Sequence, residues 1–344
     1  MKVGYVYDPI YLRHDTGHHV ENAKRLEAIL TRLEESGLNK RLTLIKPRRA
    51  ETDELALIHT KQHISQVEAV ARMGGGWLDS DTVMSPDSYE AALYAAGGAI
   101  KAAESVMEGE VNSAFALVRP PGHHATQSRA MGFCLFNNIA IAARYTMLKY
   151  QLERVLIIDF DVHHGNGTQA AFYNDPAVFY ISTHEHPFYP GTGTVDETGE
   201  GEAKGTKVSI PFPAGCGDAE YMLAYEQVVV PMARRFKPQL ILVSAGYDAH
   251  WSDQIAIMQL SVSGFARMVK TIRKLAEELC AGRLAFSLEG GYSLDALAAA
   301  VKATFDVLLG ETNIEDPLGP SPHKFSPPSI APLLKQIKEI HKLG

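Results

Sequence analysis

Three cysteines in 344 residues, Cys134, Cys216 and Cys280, stand too far apart for a disulfide framework or a thiolate metal cluster. No long run of one charge sign occurs. The formal charge of −7 is spread along the chain, which argues against a nucleic-acid surface and is compatible with cationic small molecules or peptides as partners. No apolar run approaches the roughly 20 residues that span a bilayer. Internal repeats and low-complexity tracts are missing as well. The chain opens on Lys2-Val3-Gly4-Tyr5-Val6-Tyr7, a strand pattern and not a secretory leader. A cytoplasmic enzyme without membrane or nucleic-acid partners is expected.

A hydrophobic content of 46% supports a large core, and one α/β domain is the simplest organisation. The only Pro/Ser-rich, weakly patterned stretch runs from Asp316 to Pro332. Residues 1–315 are therefore expected to form a single catalytic domain. Residues 316–344 form a tail with a short helix near 330–341, docked on the body or on a second subunit of a homo-oligomer.

Within the body, strand-like and helix-like runs alternate. Strands are expected near 2–7, 43–45, 114–118, 154–159, 178–182, 207–210, 240–243 and 284–288. Helices are expected over 21–35, over 56–73 with a break near Thr60, from a first-turn Pro86 to Met107, and over 138–150, 218–236, 263–279 and 294–309. Continuously apolar strands between helices mean a mainly parallel sheet covered on both faces. Sites in such sheets form beyond the carboxyl ends of the strands. Four polar, glycine-containing segments follow strands directly: Arg119-Pro120-Pro121-Gly122-His123-His124, Asp159 to Gly167, Ser244-Ala245-Gly246-Tyr247-Asp248 and Glu289-Gly290-Gly291-Tyr292.

The second of these, Asp159-Phe160-Asp161-Val162-His163-His164-Gly165-Asn166-Gly167, carries the most information. Alternation along a strand points Asp159, Asp161 and His163 the same way. Two carboxylates and an imidazole on a buried strand are costly without a compensating cation. Asp161 and His163 offer two ligands and Asp248 a third. Three protein ligands with open positions make a catalytic zinc site, although a mixed O/N set also suits iron and other divalent ions. His123-His124 follow a Pro-Pro-Gly turn able to bring both rings into one cleft. An imidazole beside metal-bound water is a natural general base, while the pair in isolation reads more readily as two separately satisfied histidines. Tyr292 can donate to a developing oxyanion. Phe133 and Tyr189 lie on loops, where they line a channel or merely pack those loops.

Taken together, these segments resemble the histone deacetylase superfamily, which includes acetylpolyamine amidohydrolases and acetoin-utilisation proteins. The matching runs are 119–125, 132–137, 159–169, 190–193, 244–248 and 289–292, in the family's order. Asn166-Gly167-Thr168-Gln169 is similar to the class II and bacterial branch. The resemblance implies the arginase/deacetylase fold, with zinc on Asp161, His163 and Asp248; the O/N donors would also take Fe2+ in vivo. It implies His124 as general base and then acid, oriented by Asn166, with His123 backed by Asp159 as its electrostatic partner. Tyr292 would bind the oxyanion, and Gly132, Phe133, Tyr189 and Ile255 would shape the substrate channel. A structural potassium near Asp159, Asp161, His163 and Ser182 is implied too.

Two departures stand out: His19-Val20-Glu21-Asn22 in an entrance loop, and Asp253-Gln254-Ile255-Ala256 after Asp248. Polyamine specialists place a carboxylate near the Ile255 position, so the isoleucine favours acylated lysine peptides over small acylated amines. The expected reaction is zinc-dependent hydrolysis of N-acetyl amines. A binuclear manganese ureohydrolase would need a second ligand pair where Ala249 and His250 follow Asp248. A non-catalytic binder of acyl-lysine or a metabolite would not need an intact catalytic set.

Overall fold

A computed structural model describes residues 1–323 and 326–343. The strands are β1 (Val3–Val6), β2 (Thr43–Ile45), β3 (Gly76–Trp77), β4 (Val83–Met84), β5 (Ser113–Ala116), β6 (Val155–Asp159), β7 (Val178–Glu185), β8 (Lys207–Phe212), β9 (Leu240–Ala245) and β10 (Leu284–Leu288). The helices are α1 (Lys24–Glu35), α2 (Thr52–Leu55), α3 (Lys61–Arg72), α4 (Ser88–Met107), α5 (Asn138–Tyr150), α6 (Asn166–Ala171), α7 (Asp218–Ala224), α8 (Val230–Phe236), α9 (Val262–Leu279), α10 (Leu294–Leu309) and α11 (Ala331–Ile340).

Eight strands form one sheet in the order β2-β1-β5-β10-β9-β6-β7-β8, and every pairing within it is parallel. The central strands β5, β6, β9 and β10 are buried along their whole length, as expected of strands covered on both faces. Helices α1, α9 and α10 pack side by side, and α4 packs on α5. This is the parallel α/β sheet covered by helices that the strand and helix pattern predicted, and the arginase/deacetylase architecture that the family resemblance implied.

Several boundaries moved, each for a local reason. The first helix begins at Lys24 and not at Glu21. The Asn22 Oδ1 accepts from the Lys24 N–H at 3.0 Å, and Glu21 is drawn instead into a buried ion pair with Arg119. Pro86 precedes the N-cap Asp87 and so lies outside the first turn of α4. The expected break at Thr60 is real, because the Thr60 hydroxyl caps α3 by accepting from the His63 N–H. The run 218–236 is α7 and α8 joined by a π-helical turn at Tyr225–Val229. Pro231, which follows, has no N–H to give to a regular ladder. The β3–β4 hairpin has two residues per strand, too few to show a periodicity. In the tail, α11 buries Leu334 and Ile337 and packs on β8 and the π-helical turn.

Candidate active site

The four glycine-containing segments leave β5, β10, β9 and β6, which are consecutive in the sheet. Their carboxyl ends therefore open into one space, and the expected gathering at one edge is found. One expectation needs correcting. Strand β6 stops at Asp159, so Asp161 and His163 do not share a strand face with it. Instead the Asp159 Oδ1 accepts from the Asp161 N–H at 3.2 Å, and the Asp161 Oδ1 accepts from the His163 N–H at 2.9 Å. Each carboxylate thus offers the chain a side-chain turn in place of the ladder. Convergence comes from those turns and not from strand alternation.

Asp161, His163 and Asp248 bring one ligand atom each within 4.8 Å of one another, the one such group of three among the described residues. The His163 Nδ1 lies 3.1 Å from the Asp161 Oδ1 and 3.3 Å from the Asp248 Oδ2. Backbone donors orient both carboxylates: Gly290 N–H to the Asp161 Oδ2 at 2.8 Å and Val162 N–H to the Asp248 Oδ1 at 2.9 Å. The Asp248 Oδ2 is buried and has no hydrogen-bond partner, an expensive arrangement unless a cation meets it. Burial and the nearby Asp161 charge push Asp248 up to about 7. Burial alone would depress the His163 imidazole, but the two carboxylates outweigh it and raise it to about 9. Such groups seek positive charge, and a divalent ion would take the place of their protons. The donor set fits a metal.

Alongside stand the tandem histidines, with ring centroids 4.0 Å apart. Their partners differ. The His123 Nδ1 is 3.1 Å from the Asp159 Oδ2, whereas the His124 Nδ1 is 2.8 Å from the amide oxygen of Asn166. Burial lowers both, but Asp161 and Asp159 more than compensate at His123, lifting it to about 10. At His124, burial and the neighbouring His123 and His163 act together and hold it well below its ordinary value. Adjacent imidazoles with opposite charge preferences are a signature of divided acid–base roles. Tyr292 lies in the same cavity.

The pattern is shared with known proteins. A family model described as histone deacetylase domain matches residues 19–308. The chain belongs to the histone deacetylase family. It is 42% identical to a probable deacetylase of Archaeoglobus fulgidus over 86% of this chain and 82% of that one. It is 40% identical to the chloroplastic histone deacetylase 10 of Oryza sativa subsp. japonica over 96% and 79%. The crystal structure of the HDA15 HD domain superposes with a TM-score of 0.88 at 35% identity, covering 98% of this chain and 95% of that one. The protein is accordingly a hydrolytic deacetylase. Among the described residues no helix is long and apolar enough to cross a membrane, and the chloroplastic relatives show that the family does not fix a compartment.

The deacetylase cavity of about 230 Å³ is lined by His123, His124, His163, Tyr292 and all four expected channel residues, Gly132, Phe133, Tyr189 and Ile255. Gly132 has φ +55°, and a Cβ there would lie 2.7 Å from the His124 Cγ. The absent side chain is what lets the channel wall meet the imidazole. Tyr189 packs edge-on to His124 at 5.1 Å, and Phe188 stacks on His163 at 5.2 Å. Of the residues expected around a potassium, Asp159 and Ser182 are paired across β6 and β7. The Ser182 hydroxyl lies 2.8 Å from the His184 Nδ1. The histidine considered for a second metal, His250, pairs its Nδ1 with the Ser252 hydroxyl at 2.9 Å and lies outside the ligand group.

Sequence reasoning passed over several supporting groups. The Glu289 carboxylate accepts from the Gly122 and His123 N–H groups at 2.7 and 3.1 Å, holding the histidine turn in place. Arg25 donates to the Glu289 and Gly291 carbonyls and covers the Tyr292 ring at 4.9 Å. Glu21 joins Arg25 to Arg119. Asp81, from the β3–β4 hairpin, lines the cavity. Only the i, i+4 spacing of Glu21 and Arg25 hinted at any of these in the sequence.

Proposed function

We propose that this deacetylase hydrolyses N-acetyl amines at a zinc site formed by Asp161, His163 and Asp248, with acetyl-lysine in a peptide as its substrate. The observation that carries the reading is the split pairing of the histidines, Asp159 on one and Asn166 on the other, beside a converged metal-ligand set. A zinc ion held there would polarise the amide carbonyl and acidify a water; Fe2+ suits the same O/N donors.

The chain's own residues do the rest. With its Nδ1–H donated to the Asn166 oxygen, His124 presents the Nε2 lone pair to the cavity. It removes the proton of the attacking water and returns it to the nitrogen of the leaving amine. His123, held by Asp159, stays protonated and favours the negative charge that develops on the carbonyl oxygen. The Tyr292 hydroxyl donates to that oxygen. Tyr189, Phe133 and Gly132 wrap the alkyl stem of the acylated side chain and exclude water.

Asp81 favours a second reading, since a carboxylate in the lining suits the distal ammonium of a small acylated polyamine as well as the backbone N–H groups of a peptide. The test is a kcat/KM panel of acetyl-lysine peptides and acetylated polyamines on enzyme of measured metal content, with His124→Ala alongside. Peptide preference, one metal per chain and a loss of about 10²–10⁴ in His124→Ala are expected. Polyamine preference would transfer the assignment to the second reading. Wild-type turnover in His124→Ala would end the mechanism.

A further inference from the structure

We infer that Asp253 is a positioning residue for the reaction, with one buried carboxylate fixing both the proposed oxyanion donor and a wall of the channel. Asp253 is 7% exposed and lies on the loop between Asp248 and Ser261. Its Oδ2 accepts from the Tyr292 and Ser293 N–H groups at 2.6 and 2.9 Å. Its Oδ1 accepts from the Ile255 N–H at 3.2 Å, and Ile255 lines the cavity. A second link joins the same two segments, with the Ser252 and Ser293 hydroxyls 2.9 Å apart.

Tyr292 follows Gly290 and Gly291, which give its backbone no side-chain anchorage of their own. Gly291 has φ +115°, a conformation closed to most side chains, so the turn cannot be stiffened by substitution there. Its rigidity has to come from outside. Arg25 holds the carbonyl oxygens of Glu289 and Gly291, and Asp253 holds the N–H groups immediately beyond. The two grip opposite polar groups of one turn, and Tyr292 sits between them. The ring is packed by Arg25 on its face at 4.9 Å and by Phe133 edge-on at 5.9 Å. The remaining freedom of the phenol is the position of its Cα, which the two Asp253 bonds set. A hydroxyl misplaced by about 1 Å is enough to cost roughly 10² in rate. The bond to Ile255 makes the channel wall move with that anchor, so pressure from a bulky acyl stem on Ile255 reaches Tyr292 through Asp253.

The inference rests on Tyr292 as oxyanion donor, and its test separates the two. Asp253→Ala, Asp253→Asn, Tyr292→Phe and the doubles are assayed for kcat, KM, metal content and Tm on acetyl-lysine peptide. Tyr292→Phe should lose about 10²–10³ in kcat. Asp253→Ala should lose about 10–10² in kcat with KM within about 3-fold and metal content unchanged. Asp253→Asn, which keeps one acceptor oxygen, should fall between it and wild type. Each double should match Tyr292→Phe alone, since Asp253 acts through the tyrosine. Losses that multiply in the doubles, or normal kcat in both Asp253 variants beside a crippled Tyr292→Phe, would overturn the positioning role. Normal kcat in Tyr292→Phe would overturn the tyrosine assignment itself, and this inference with it. If Asp253→Ala does not fold, the Asp253→Asn pair decides by the same criterion.

Discussion

Replacing Glu21 by alanine should destabilise this protein far more than a surface carboxylate would. Glu21 is completely buried, as are Arg25 and Arg119. Its Oε1 accepts from the Arg119 Nε at 2.5 Å and the Arg25 Nη1 at 3.1 Å, and its Oε2 accepts from the Arg119 Nη2 at 2.9 Å. Four further guanidinium N–H groups go to the Tyr11, His14, Glu289 and Gly291 carbonyls. Two cations therefore share one anion. Removing it leaves both uncompensated, a situation worth about 3–5 kcal/mol when a buried pair is broken from one side. At about 2.1 cal/mol/K per residue, 344 residues give an unfolding entropy near 0.7 kcal/mol/K, so Tm should fall by about 4–7 °C.

The pH dependence has a definite sign. Burial would raise the Glu21 pKa, but Arg119 and Arg25 hold it well below the ordinary 4.5. Its contribution is therefore complete above pH ~4.5 and drains away only as pH falls below that value toward the folded pKa. The wild-type advantage over Glu21→Ala should be flat from pH 6 to 8 and shrink in acid. Urea unfolding followed by circular dichroism at several pH values measures this. A loss under about 1 kcal/mol at pH 7, the scale of an exposed pair, would show that the two arginines find other partners and would refute the reasoning.

Other expectations concern the site. Asp248→Ala removes the proposed ligand whose buried Oδ2 has no hydrogen-bond partner, so the purified variant should carry little zinc by atomic absorption; stoichiometric metal would contradict its role. Asn166→Ala frees the His124 Nδ1 from its 2.8 Å bond and should cut kcat about 10–100-fold with metal retained, and unchanged kcat would show that the ring is oriented by packing alone. Gly132→Ala places a Cβ against the His124 ring at a φ of +55° and should lose both stability, by about 1–3 kcal/mol, and most turnover. Gly191→Ala, also at positive φ but with nothing within 4 Å, should show the strain in Tm without the loss of activity; equal activity losses would mean that the His124 contact is immaterial.

Much of this protein is settled by local sequence. Fully apolar runs such as Leu240–Val243 read as strands central in a sheet buried on both sides, and the Ala-rich run ending at Met107 reads as a long helix. The Asp159–Gly167 segment by itself points to a metal at a strand end, while the deacetylase reading comes from the resemblance of that segment, His123-His124, Asp248 and Tyr292 to the family's ordered motifs. Those features are legible because each depends on near neighbours in the chain: period, turn residues, and the cost of burying charge without a partner.

Tertiary structure decided how these residues are held. Strand order makes β5, β10, β9 and β6 adjacent, and no periodicity encodes strand order. Asp161 and His163 converge through carboxylate turns after β6 ends, a geometry that alternation along a strand does not describe. Glu21 meets Arg119 across 98 residues, and Asp253 meets Tyr292 across 39. Such contacts leave no local trace, because a buried charge needs a complementary group in space and the chain is free to supply it from anywhere. The sequence names the candidate reacting groups; the packing of distant segments sets their positions.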